Sequence, residues 1–332
     1  MAGNDLSIFT LNDTDSTKIF EQQIVPEELK RFEEQRSSHI CRETPLAVFV
    51  VGQTGAGKTL TAPAIKEVIR ARRGEPAHFI ADTYKTYHPG YSRLLAERPA
   101  LASPATGTDA RRWLSMAAAY AIERRIDVLV ESACRHPQDF ADLAQAFHHG
   151  RYRVEVAIMA VPAALSRLGI LTRFYERLPE AGSRGLPVRL TPRRVHDESL
   201  NGLVEAAQFV DAALVVDQVV VLRRDNLVAY SNERIGGVWK EPAITAETLL
   251  FERQRPLPER EQVFSIRDLK SLHSREAGGL LPQLDEIRSL LNKLEDGSSA
   301  RALRHLVLPV ISADVSQHDD VVPDLRLGLH SP

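Results

Sequence analysis

The chain has 332 residues and is 43% hydrophobic, enough for one large α/β domain with an appendage or for two domains. Its 42 basic and 44 acidic residues nearly cancel, so bulk charge points to neither a nucleic-acid nor a membrane surface. Two cysteines, Cys41 and Cys134, build no disulfide framework and stand at no zinc-ligand spacing, and no secretory leader or long apolar span is present, so a soluble cytoplasmic protein is the expectation.

Residues 1–45 predict a helical N-terminal arm, with Asp15, Ser16 and Thr17 as caps and Phe20, Ile24, Leu29 and Phe32 at helical intervals around Pro26. Such an arm either packs on the core or offers a partner a docking surface. Leu46-Ala47-Val48-Phe49-Val50-Val51 is a continuous apolar run, as a strand buried on both faces requires. Gly52-Gln53-Thr54-Gly55-Ala56-Gly57-Lys58-Thr59 follows at once and matches G-x-x-x-x-G-K-[ST]. Gly52 and Gly57 let the backbone bend and approach a phosphate chain closely, so that successive N–H groups can face an anion. The next helix adds its free N–H groups. Lys58 can reach the β/γ-phosphates, and the Thr59 hydroxyl can join the shell of a Mg²⁺ ion. The stretch reads as a nucleoside-triphosphate site.

Beyond the loop, Ile65, Val68 and Ile69 stripe a helix that ends near Gly74 and is bent at Pro63. Ala77-His78-Phe79-Ile80-Ala81 predicts a second strand with Asp82 at its carboxyl end. In open α/β sheets ligands gather at that end, so Asp82 falls on the rim that carries Lys58. The polar and aromatic stretch from Asp82 through Lys85 to His88-Pro89 suits a substrate-facing loop. A helix over 108–125, capped by Asp109 and presenting Trp113, Met116, Ala117 and Tyr120 on one face, leads to a strand over 126–130 that ends in Glu131, a second rim carboxylate. Residues 154–161 predict a further strand, and Pro162 opens a helix. A basic sector then carries Arg167, Arg173, Arg177, Arg184, Arg189, Arg193 and Arg194. Most of these suit a solvated helix face, but a phosphotransferase needs one or two arginines to close over the triphosphate.

Residues 213–216, 219–223 and 227–230, around a turn at Arg224-Asp225-Asn226, predict a terminal strand or hairpin. After Gly236-Gly237, prolines among charged residues give way to a helical pattern from Leu281 to Leu294, and the polar, Pro-punctuated end is expected to fray. The expected organisation is an arm over 1–45, a P-loop kinase domain over 46–235, a mainly helical C-terminal extension over 236–310 and a flexible tail over 311–332. The expected fold is an α/β P-loop NTPase of the kinase type, three-layered around a central, mostly parallel sheet.

These residues resemble the zeta toxin family of P-loop kinases, which phosphorylate the 3'-hydroxyl of the aminosugar of UDP-N-acetylglucosamine. The likeness runs from about Phe20 to Glu233. It rests on the phosphate loop, on Asp82-Thr83-Tyr84-Lys85 leading to His88-Pro89, on Val130-Glu131, on Ala160-Val161-Pro162, and on Arg189-Leu190-Thr191-Pro192 leading to His196-Asp197. The resemblance implies that Lys58 and Thr59 hold ATP and Mg²⁺ and that Asp82 is the general base. It places Glu131 near metal and substrate, makes Arg135 a sugar-nucleotide contact, and sets Arg173 and Arg189 as a phosphate clamp, with Arg184 the lesser candidate. It also implies an antitoxin protein as partner.

Two positions depart from the family. Ser115 stands where the family commonly has a glutamate that helps hold the aminosugar, and Ser132-Ala133 stands where Gly-Thr is usual. The changes remove substrate-orienting bonds worth about 1–3 kcal/mol each. They leave the acceptor open between UDP-N-acetylglucosamine and another nucleotide-linked molecule, such as a dinucleotide or a different sugar nucleotide. A nucleotide-hydrolysing switch and a non-catalytic ATP-binding module are the readings outside the kinase class.

Overall fold

Five parallel strands with an antiparallel edge form one sheet in the computed structural model, which describes residues 6–33, 44–176, 190–224, 226–275, 279–294 and 303–306. Strands β1 (Leu46–Val51), β2 (Ala77–Ile80), β3 (Val128–Ser132), β4 (Arg153–Met159) and β5 (Gln218–Leu222) lie in the order β2-β3-β1-β4-β5 and pair in parallel. Strand β6 (Leu227–Ile235) returns antiparallel along β5, and β7 (Val238–Trp239) and β8 (Arg304–His305) both pair with β6. From β1 the chain goes out to the edge strand β2 and back to β3 on one side, then crosses to β4 and β5 on the other. That reversal leaves a crevice at the carboxyl end of β1, where open α/β sheets bind ligands.

Helix α1 (Asp13–Ile19) opens the arm, and α2 (Lys58–Arg73) follows β1. A single turn, α3 (Ala81–Tyr84), and α4 (Tyr91–Glu97) lead from β2 into the long α5 (Pro99–Arg124). Helices α6 (Pro137–His149), α7 (Ala163–Glu176) and α8 (Arg193–Ala212) complete the crossovers. Helices α9 (Thr245–Gln254), α10 (Glu259–His273) and α11 (Leu280–Asn292) follow the antiparallel edge. Among the described residues no helix is long and apolar enough to cross a membrane.

Side-chain alternation along β1 divides the core. Ala47, Phe49 and Val51 pack with Phe20 and Ile24 of the arm, Trp113 of α5, Phe140 and Phe147 of α6, and Leu203 of α8. Leu46, Val48 and Val50 face the opposite layer, against Ile65 and Ile69 of α2, Leu165 of α7, Leu269 of α10 and Leu284 of α11. Helices on both faces of a mostly parallel sheet make the expected three-layer α/β fold, with the phosphate loop at the end of β1.

Several boundaries differ from the expectations, each for a physical reason. The cap of α1 is Asn12, which accepts from the Asp15 amide at 2.9 Å, rather than Asp15, Ser16 or Thr17. Over Phe20–Leu29 the arm winds as a π-helix around Pro26, whose missing N–H and ring disfavour the ordinary α register. Asp109 does not cap a helix. Helix α5 starts at Pro99 and runs through Pro104, leaving Asp109 fully buried in mid-helix, where it accepts from the Leu11 amide at 3.2 Å. Trp113 donates to the Ser16 carbonyl at 3.0 Å, so the inner face of α5 holds the arm through polar groups as well as apolar ones. Strand β3 runs over Val128–Ser132, one residue past Glu131, which keeps its expected place at the carboxyl end, whereas residues 213–216 form a turn, not a strand. The expected tail and Cys41 lie outside the described residues.

Candidate functional site

The loop from Gly52 to Thr59 leaves β1 at the crevice. Its tightest point is Gly55, at φ +82°, where a Cβ would stand 2.1 Å from the Ser166 carbonyl oxygen of α7. Only glycine fits there, a constraint the motif alone did not single out. Gly57, at φ +98°, turns the chain into α2. The Thr54 amide donates to Ser199 Oγ at 3.1 Å and the Ala56 amide to the Gln53 carbonyl at 3.0 Å. The amides of Gly55, Gly57, Lys58 and Thr59 have no protein acceptor among the described residues. Unpaired amides around a helix N-terminus fit an anionic phosphate chain.

Half-buried Lys58 donates to the Gly52 carbonyl at 2.7 Å. Desolvation pushes its pKa down, and Glu131 does most to push it back up, followed by Cys134 and Asp82, while Arg173 works against the charge. One electrostatic neighbourhood therefore holds Lys58, Glu131, Asp82 and Arg173. Glu131 lies on β3 beside Val50 of β1, and His78 Nε2 is 2.9 Å from its Oε1. Asp82, in the first turn of α3, is exposed and ion-paired with Lys85, which also donates to Ser103 Oγ at 2.6 Å.

The other predicted site residues sit as follows. Thr59 is exposed in the first turn of α2, and Arg173 is exposed near the end of α7. Arg135 donates to Glu198 Oε2 at 2.5 Å, so its guanidinium is engaged with α8. Ser115 is exposed on α5 and its hydroxyl donates to the Arg111 carbonyl at 3.2 Å. Arg177, Arg184 and Arg189 lie outside the described residues. Among the described residues no three His, Cys, Asp or Glu side chains group closely enough to hold a metal ion.

Beneath the loop is a polar layer that the sequence did not announce. Fully buried Gln53 donates to the Val161 carbonyl at 2.5 Å and to Ser166 Oγ at 3.3 Å. Its side-chain oxygen, Oε1, accepts from Arg253 of α9 at 3.1 Å. His196 lies 2.8 Å from Ser166 Oγ through Nε2 and 2.9 Å from Asp197 Oδ1 through Nδ1. Burial pushes its pKa down, which favours the neutral ring; Nδ1–H then donates to Asp197 while Nε2 accepts the serine hydroxyl. Despite its Ser-His-Asp order, this chain is a brace. Ser166 is fully buried and its carbonyl abuts Gly55, which leaves no room for a substrate. From the β5–β6 turn, Arg224 donates to the carbonyls of Gly55 at 2.7 Å, Leu165 at 3.0 Å and Ala56 at 3.4 Å.

The sequence profile described as Zeta toxin matches residues 30–235. The chain is similar to Toxin PezT of Streptococcus pneumoniae, 26% identical over 189 residues, spanning 57% of this chain and 72% of that protein. It is also similar to Toxin zeta of Streptococcus agalactiae, 24% identical over 222 residues, spanning 67% of this chain and 74% of that one. A solved structure from the PezAT chromosomal toxin-antitoxin system of Streptococcus pneumoniae superposes with a TM-score of 0.58 at 18% identity, covering 85% of this chain and 99% of the other. That likeness speaks for the fold.

Proposed function

The chain belongs to the zeta toxin family, and from that premise we propose that it is an ATP-dependent kinase acting on a hydroxyl of a nucleotide-linked acceptor. The first candidate is the 3'-hydroxyl of the aminosugar of UDP-N-acetylglucosamine. The observation that carries the reading is the meeting of unpaired loop amides with Lys58, Glu131 and Asp82 on one rim. Phosphoryl transfer asks a protein mainly for positioning and charge neutralisation, and this rim offers both.

In this reading the amides of Gly55, Gly57, Lys58 and Thr59 bind the phosphate chain, and the Lys58 ammonium exchanges Gly52 for a phosphate oxygen. Mg²⁺ would enter with the nucleotide, held by the Thr59 hydroxyl, and would offset phosphate charge. Asp82 accepts the proton that leaves the acceptor hydroxyl as the new P–O bond forms. An aspartate carboxylate at that place is of the right type to act as general base. Lys85 fixes its direction. Arg173 and Arg189 close on the transferring group, and Glu131 and Arg135 orient the acceptor, with Lys85 and Ser115 at its edge. By likeness to the PezAT system, a protein antitoxin is the expected partner.

A second acceptor class is favoured by one observation. Ser115 brings no carboxylate to the sugar side, and its hydroxyl is turned to its own helix. A dinucleotide or another sugar nucleotide is then the substrate. The test is ³¹P NMR of the protein with ATP and a panel of nucleotide-linked acceptors. A new phosphomonoester that grows with one acceptor supports the kinase. ADP released at the same rate without any acceptor contradicts it.

A further inference from the structure

A second layer of positive charge lies beneath the phosphate loop. The Arg224 guanidinium reaches the carbonyls of Gly55 and Ala56 from the β5–β6 turn. Arg253, on α9 and beyond the stretch matched to the family, reaches the Gln53 carboxamide and the Leu200 carbonyl, the latter at 2.9 Å. Both side chains are partly buried, and Arg253 Nε is fully buried with no partner among the described residues. Among the described residues neither arginine forms an ion pair with a carboxylate. The acids whose charge reaches Arg224, Glu261 and Asp268, are themselves paired with Arg255 and Arg267. An unneutralised, partly desolvated cation is costly to a fold unless something anionic compensates it.

Peptide geometry links these charges to the cradle. In a trans peptide the C=O and N–H point opposite ways, and the chain has no cis peptide among the described residues. A guanidinium that holds the Ala56 carbonyl therefore turns the Gly57 amide to the other side of the loop, where it has no protein acceptor among the described residues. Arg253 acts one step further back. By holding the Gln53 oxygen it directs the Gln53 amide onto Val161 and Ser166, which anchors the start of the loop.

We propose that Arg224 and Arg253 are positioning residues for nucleotide binding: from beneath the loop they fix its peptide directions and offer positive charge, paired with no carboxylate among the described residues, to a polyphosphate held above it. The proposal rests on the nucleotide-binding reading given above. It also makes α9 a working part of the phosphate site. Desolvation acts in the same sense, pushing Arg224 below the usual arginine range and Arg253 down to about 10, and a bound polyanion would relieve both.

The experiment compares wild type with Arg253→Met, Arg253→Lys and Arg224→Met in the full chain. MgATP affinity is read by titration calorimetry, and melting temperature is read with and without MgATP. The Met variants should keep the nucleotide-free melting temperature, lose affinity by about tenfold, and show a smaller nucleotide-induced rise in melting temperature. Arg253→Lys should recover most of the loss, because charge returns without the guanidinium fork. Wild-type affinity in folded Met variants overturns the proposal while leaving the nucleotide reading intact. So does a lowered nucleotide-free melting temperature with an unchanged nucleotide-induced rise, which is the mark of a merely structural role. Failure of wild type itself to bind MgATP overturns both.

Discussion

Lys58 Nζ donates to the carbonyl of Gly52, the first residue of the same loop, at 2.7 Å. The ammonium is thus held at the mouth of β1, in the electrostatic neighbourhood of Glu131. In the proposed kinase reading it leaves that carbonyl to meet a phosphate, and removing it takes away a charge where negative charge spreads in transfer. Lys58→Met should keep the fold, and its turnover should fall by at least about 100-fold. A rate assay with the melting temperature as control checks this; near-wild-type turnover would exclude the role.

Gly55 separates backbone strain from steric conflict. Gly74, at φ +95° and ψ 174°, lies in a backbone region that glycine alone enters freely, but open space surrounds it, so an alanine there would meet backbone strain without steric conflict. At Gly55 a Cβ also meets the Ser166 carbonyl oxygen at 2.1 Å, and that oxygen belongs to a helix backbone that cannot swing aside. Gly55→Ala should therefore destabilise more than Gly74→Ala and alone abolish nucleotide binding. Thermal melts of the two variants with and without MgATP make the comparison.

His196 gives the fold an acid-side weakness. The unfolded imidazole titrates near about 6.5, whereas burial pushes the folded one lower despite Asp197 beside it. Its contribution is fully present above the unfolded value. Below that, the unfolded chain takes up a proton the folded chain refuses, and stability falls as pH drops toward the folded value. Burial raises the Asp197 carboxyl, but the bonds from His196 and Arg167 outweigh it and hold the group below its usual range. Its contribution is therefore lost only at lower pH, as pH falls through the folded value. Urea unfolding from pH 7 to pH 5 should show a slope that His196→Gln flattens; equal slopes would contradict this account.

Cys134 lies just beyond β3 and is fully buried in effect, with burial pushing its thiol up to about 12. At pH 8 only about one part in ten thousand would be thiolate, the reactive form. In a Cys41→Ser background the remaining thiol should resist a disulfide reagent until denaturant is added. Rapid labelling of the native protein would show that β3 opens readily beside Lys58.

What could be read from the sequence was what is local. The apolar run from Leu46 to Val51 and the glycine pattern after it specify a buried strand and an anion loop without help from distant residues. The start of α5 was not legible, because Pro104 and Gly107 look like breakers and Asp109 looks like a cap. Contacts with the arm at Leu11 and Ser16 favour the longer helix instead. The brace of Ser166, His196 and Asp197 joins two helices 30 residues apart, and Arg253 meets Gln53 across 200. No periodicity or spacing marks such pairs. Only the adjacent His196-Asp197 offered a clue, and it was readable as a motif rather than as a support. Arg189 lies outside the described residues, so its clamp role stays a proposal from the likeness alone.

The central claim is that Asp82 takes the proton of the acceptor hydroxyl. The direct measurement is the single-turnover rate of phosphoryl transfer from ATP to UDP-N-acetylglucosamine, or to whichever acceptor the panel identifies, for wild type and Asp82→Asn at matched ATP occupancy. The account predicts a fall of about 100- to 10,000-fold with ATP affinity unchanged, the range expected for loss of a general base. Transfer by Asp82→Asn at the wild-type rate would contradict it.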